Sequence, residues 1–133
     1  MAVSGWILDK SAAARATDAS VAKSLEDLVG QLFLCAVGRL EQLYSARSAT
    51  DYDEIASQLE ESFELVPAPP DVFERALALQ RDLAHHHGMW HRTPIPDLLI
   101  AETALHHGLG VVHVDRAYER IAEVRDLRVR RLG

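Results

Sequence analysis

Short apolar runs recur along this chain between longer stretches of helical spacing, and that alternation restricts the fold more than any other feature. "WIL" at 6–8, "QLFLCAV" at 31–37, "ELV" at 64–66 and "LGVVHV" at 109–114 each have strand length. Of these, "QLFLCAV" suits burial on both faces, which is the condition of a strand in a parallel sheet. Helical patterns fill the intervals: "DASVAKSLEDLVG", "GRLEQLYSARS", "DYDEIASQLEESF", "DVFERALALQRDLAHHHG" and "PDLLIAETALHHG". Strand and helix in alternation predict an α/β fold, a three-layer α/β/α sandwich with a mostly parallel central sheet. Without an internal linker or repeat, residues 1–133 are expected to form a single domain.

Capping chemistry marks the helices. Asp18 suits a helix start and Gly30 a stop, while Pro96 suits a first turn and Gly108 an end. Ile55, Leu59 and Phe63 recur every fourth residue and so share one face. In the next helix Val72, Phe73, Ala76, Leu77, Leu79 and Leu83 are expected to turn toward the core. "ELV" is halted by prolines, "YERIAEV" predicts a short helix, and "LRVR" near the end predicts an edge strand.

Charge limits the partners. With 20 acidic residues against 14 Lys and Arg, the molecule as a whole repels a polyphosphate, so a nucleic-acid ligand needs local help. "RDLRVRRLG" gathers Arg125, Arg128, Arg130 and Arg131, and taken alone it reads as a solvated tail. Cys35 is the only cysteine, which rules out an internal disulfide and marks it as a core residue. No apolar run approaches the ~18 residues of a membrane span, and the first residues lack the pattern of a signal peptide. A cytoplasmic location without membrane contact is therefore expected.

Acidic residues fall where such a sheet would bind a ligand. Loops leaving the carboxyl ends of parallel strands gather on one edge. Asp9 closes the first run, Glu41 is expected in the first turn of the helix after the second, Asp97 begins a later helix, and Asp115 ends "VVHVD". Singly, each acid has an ordinary explanation as a helix cap. Jointly they do not, because two carboxylates ~5 Å apart repel by roughly 3 kcal/mol at an effective dielectric of ~20. A hard divalent cation such as Mg²⁺ or Mn²⁺ removes that repulsion and brings phosphodiester hydrolysis within reach.

Four stretches, "WILDKSAAARA", "RLEQLYSARS", "PIPDLLIAETALHHGL" and "VVHVDRAYERIAEV", occur in an order and spacing that cover nearly the whole chain. In them the sequence resembles the PIN-domain ribonucleases, and in particular the VapC toxins of bacterial toxin–antitoxin pairs. The resemblance implies an endoribonuclease whose metal site is Asp9, Glu41, Asp97 and Asp115, loaded with Mg²⁺ or Mn²⁺. It implies that Ser11 orders the first-acid loop, with Asp9 and Asp97 as main ligands. It also implies an RNA substrate, a cognate VapB-type antitoxin laid across the acidic crevice, and a homodimer within the toxin–antitoxin complex. Lys10 stands where many relatives carry threonine, and Ala117 where relatives often carry a further acid, which leaves one or two metal ions open. Lys10, Arg39 and Arg116, each within two residues of an acid in sequence, are candidates to guide phosphate.

Rival readings are weaker. His85, His86, His87, His91, His106 and His107 suggest zinc, yet Gly88 interrupts the only suitable spacing, His87 to His91, and no cysteine partner or HExxH string accompanies it. No glycine-rich phosphate loop is present. Glu102 lies about 140° around its helix from Asp97 and is expected to face solvent. Trp90 is expected to anchor its loop. The alternative to an enzyme is a non-catalytic interaction module of the same fold, in which the acids are merely caps.

Overall fold

Neighbouring residues of a strand point to opposite faces of its sheet, and Ile7 and Leu8, both buried, already require a layer on each side. The computed structural model of the protein describes residues 5–14, 18–28, 30–114 and 116–132. Its elements run β1 (Trp6–Leu8), α1 (Lys10–Ala14), α2 (Ala19–Glu26), β2 (Leu32–Cys35), α3 (Ala36–Tyr44), α4 (Ala49–Ser62), β3 (Glu64–Val66), α5 (Val72–His85), α6 (Ile95–His107), β4 (Gly110–His113), α7 (Ala117–Ile121) and β5 (Val129–Arg131). Among the described residues the strands form one sheet in the order β3-β2-β1-β4-β5. Every pairing is parallel. No helix of the described residues is long and apolar enough to cross a membrane.

Register assigns the two faces. Ile7 lies opposite Phe33 on one side and Val111 on the other. With Cys35 these residues pack against α5, α6 and α7 in the larger core. Leu8 and its neighbour Val112 point the other way, onto Ala12, Val21 and Leu28 from α1, α2 and the turn after it. Leu34 completes that second face with Leu43 of α3 and Leu59 of α4. The result is the expected α/β/α sandwich. Helix α6 is its most enclosed member, buried at every position from Asp97 to Ala104, because α5 and α7 both pack against it.

Several local expectations change. The second apolar run is strand only to Cys35, whose sulfur accepts the Gly38 N–H at 3.4 Å and so caps α3; Ala36 and Val37 belong to the helix. On α5, Phe73 and Leu77 are 72% and 66% exposed, against expectation. The buried residues are Val72, Ala76, Leu79 and Leu83, spaced by three and four, and Phe73 and Leu77 sit one residue around from that stripe. The basic C-terminal stretch is not a solvated tail, since Val129–Arg131 pair with Val111–His113 as the edge strand. Gly110 meets a steric demand, because a Cβ there would lie 2.6 Å from the Trp6 ring and 2.8 Å from the Arg128 carbonyl.

Candidate active site at the sheet switch point

After β1 the chain winds outward through β2 to β3, then returns to place β4 on the other side of β1. The order therefore reverses between β1 and β4, and the carboxyl ends of those two strands flank the crevice where α/β sheets bind ligands. Asp9 stands immediately after β1, and its N–H donates to the Val112 carbonyl at 3.0 Å, which ties the crevice shut at its base. From α1, the Val114 N–H is received by Ser11 Oγ at 3.1 Å, so a residue of the first-acid loop holds the end of β4.

Asp9 is buried and does two things at once. Its Oδ2 accepts the Ser11 N–H at 2.9 Å, the helix cap that its position suggested. Its Oδ1 accepts the Tyr118 hydroxyl at 2.6 Å, a bond across the crevice that capping does not explain. The same hydroxyl lies 3.3 Å from Asp97 Oδ1. Asp97, in the first turn of α6, is also buried. One phenol thus joins two acids that are far apart along the chain. Burial, then the charges of Asp9 and Asp97, push the Tyr118 pKa well above its ordinary value, so the group stays a donor.

Glu41 sits in the second turn of α3, not the first, because the helix begins earlier than expected. That removes the helix-cap explanation for this acid. Its Oε1 is buried without a hydrogen-bond partner. Burial, and secondarily the charge of Asp9, raise its carboxyl pKa, while Lys10 opposes the rise. A carboxyl raised in the folded state binds more protons there than in the unfolded chain, so its charge destabilises the fold at neutral pH and ceases to do so once acid protonates it. In the presence of a chelator, Glu41→Gln is expected to be more stable than the parent at pH 7.5. The gain is at most about 0.5 kcal/mol because solvent screens the half-exposed group. The difference should vanish near pH 4, as read from urea midpoints at the two pH values.

Asp115, the fourth acid expected here, lies outside the described residues. Among the described residues, no three potential ligands stand close enough to form a closed cation cage. Asp9 and Asp97 come together, and Glu41 is coupled to Asp9 through its charge. This donor set nevertheless suits Mg²⁺ or Mn²⁺. Mg²⁺ usually takes one or two carboxylates, keeps several waters and takes further oxygens from a substrate phosphate. Carboxylate oxygens, one of them buried and partnerless, are the hard donors such an ion prefers.

The basic candidates divide. Lys10 and Arg116 are exposed beside the crevice, and Lys10 also lines a cavity of about 400 Å³ with Glu41, Tyr44 and Pro96. Arg39 is engaged elsewhere, paired with Glu60 of α4 at 2.7 Å. Glu102 corrects its expectation. It is 4% exposed and lies between Arg75 at 3.8 Å and Arg125 at 3.5 Å, because α6 has no solvent side at this level. It is therefore a structural acid that links α5, α6 and the segment after α7. Trp90 anchors its loop: His86 stacks on the indole, Arg120 lies 5.5 Å from the ring centroid, and the Trp90 backbone N–H donates to the Leu83 carbonyl. Tyr118 is the residue that sequence reasoning missed. Its position in the first turn of the helix that follows Asp115 offered a signal, but "YERIAEV" reads as an ordinary short helix.

A parallel sheet in this order, with buried carboxylates at its switch point, defines the class to which the chain is assigned. It belongs to the PIN-domain family, whose sequence profile matches residues 6–124. Among curated proteins it is 58% identical over 120 residues to Ribonuclease VapC17 of Mycobacterium tuberculosis, a match that covers 90% of this chain and 89% of that one. It is 40% identical to Ribonuclease VapC21 of the same organism, over 90% of this chain and 87% of the relative. Among solved structures, VapBC2 from Rickettsia felis bound to a DNA fragment from its promoter superposes with a TM-score of 0.73 at 16% identity, covering 96% of this chain and 98% of that chain. VapBC-5 of Mycobacterium tuberculosis gives 0.66 at 20% identity, again covering 96% and 98%.

Proposed function

We propose that this protein is a Mg²⁺- or Mn²⁺-dependent endoribonuclease that serves as the toxin of a type II toxin–antitoxin pair. The observation that carries the proposal is the meeting of Asp9 and Asp97 at one hydroxyl in the switch-point crevice. High identity to named VapC ribonucleases supports the choice of RNA as substrate. A divalent ion bound there would supply Lewis-acid chemistry, acidifying water and offsetting charge on the phosphodiester oxygens. Asp9 and Asp97 are its principal holders, and Asp115 completes the set. Glu41, through its partnerless Oε1, accepts a hydrogen bond from the attacking water and orients it. Lys10 and Arg116 take the flanking phosphates.

The proposed partner is a small VapB-type antitoxin, a choice supported by structural neighbours that are VapBC assemblies. A basic side chain from such a partner, placed against the buried carboxylates, would form charge-assisted bonds and displace the metal. A homodimer is part of the same proposal, with the exposed Phe73 and Leu77 of α5 as the apolar surface that a second copy covers. The test is cleavage of a mixed RNA pool by the purified protein. Cleavage is expected to stop on chelation and return with added Mn²⁺. Cleavage indifferent to chelator would reject the metal dependence, and no cleavage with metal present would reject the enzyme in favour of a non-catalytic module whose acids are caps.

A further inference from the structure

Tyr118 carries a hydroxyl that its packing does not need. The side chain is fully buried, with its ring against His113 at 5.3 Å between centroids, and a phenylalanine would fill the same space. Burying a hydroxyl is unfavourable unless it is bonded, and the two bonds it makes are to Asp9 and Asp97. Asp9 consequently has a fixed donor on each oxygen, the Ser11 N–H on Oδ2 and the Tyr118 O–H on Oδ1. Two donors on two oxygens fix the rotation of a carboxylate about its χ angles, while each oxygen keeps a lone pair for a cation.

We infer that Tyr118 is a positioning residue for the divalent cation: its hydroxyl orients Asp9 toward Asp97 and so sets the metal affinity of the site. The inference rests on the proposed metal dependence and goes beyond it, because nothing in the acid pattern assigns a role to this phenol. Partners that orient a ligating side chain are worth roughly 10–100-fold in metal affinity. Tyr118→Phe, which keeps the ring and removes only the hydroxyl, is therefore expected to weaken binding by about that factor.

Mn²⁺ binding is measured directly, by the loss of the free-ion EPR signal, on the full-length parent, Tyr118→Phe and Asp9→Asn proteins, with folding checked by amide NMR. Weaker binding in Tyr118→Phe and none in Asp9→Asn is the expected result. Saturating Mn²⁺ should then restore RNA cleavage to Tyr118→Phe but not to Asp9→Asn, a rescue that a merely structural defect would not show. If the parent binds and Asp9→Asn does not, yet Tyr118→Phe binds as tightly as the parent or more tightly, the role of Tyr118 is overturned and the metal site stands. If the parent itself binds no Mn²⁺, the metal proposal falls and this inference falls with it. Should the phenylalanine variant fail to fold, Ser11→Gly, which leaves the second donor to Asp9 less constrained, is measured in its place and must weaken Mn²⁺ binding for the orientation of Asp9 to matter.

Discussion

Asp9→Asn is expected to lower metal-dependent RNA cleavage by at least about 10³-fold, because the charge stabilisation that a bound cation supplies is worth several kcal/mol and each 1.36 kcal/mol is a factor of ten. The fold should survive the change. An asparagine oxygen can still accept the Ser11 N–H that Asp9 Oδ2 accepts now. Its amide N–H₂ can donate to the Tyr118 oxygen, and Tyr118 can then turn its own proton toward Asp97, which already lies 3.3 Å away. Removing one of two facing negative charges also relieves their repulsion. The variant should therefore unfold within about 1 kcal/mol of the parent while losing activity. Cleavage of labelled RNA in Mn²⁺, together with urea denaturation of the same preparation, reads both. Parent-like cleavage would exclude Asp9 from the chemistry.

Leu79→Ala is expected to destabilise the protein by about 3 kcal/mol, while Leu77→Ala, two residues away, changes stability by no more than about 0.5 kcal/mol. Leu79 is fully buried in the cluster formed by α5, α6 and α7. Truncating it leaves a cavity beneath the helix that presents Asp97. Leu77 is 66% exposed and has little to lose in the isolated protein. If the proposed homodimer buries Leu77, its truncation should instead show as dissociation in gel filtration at unchanged monomer stability. Chemical denaturation of both variants separates the two faces of α5, and equal losses would contradict the placement of its apolar stripe.

A chain can be read for what depends on neighbours in sequence. The short apolar runs became the parallel strands, covered on both faces in the middle of the sheet, while "ELV" became an edge strand with Glu64 and Leu65 exposed. Asp18 and Gly108 took the cap positions that their chemistry suits. Asp9 and Asp97 followed from topology, since the first acid after a strand and the first turn of a later helix both open on the carboxyl edge of a parallel sheet. The acids themselves were therefore legible, together with the idea that repulsion among them asks for a cation.

Other features depend on which surfaces meet, and local pattern is silent about that. Phe73 and Leu77 have the same composition signal as Leu79 and Leu83, and only the direction from which α6 approaches decides which stripe of α5 is buried. Glu102 reads as a surface acid on its own helix. It is buried because α5 and α7 enclose α6 at this level, and Arg75 and Arg125 reach it from two other segments of the chain. Tyr118 is the clearest case. Nothing near it in sequence distinguishes its hydroxyl from that of any buried tyrosine, and its partners, Asp9 and Asp97, become neighbours only when β1, α6 and α7 converge. The sequence by itself determined the layers and the acids at their edge, because hydrophobic period and charge are local properties. The tertiary structure alone decided which donor joins those acids, because a hydrogen bond requires two groups to arrive at one place.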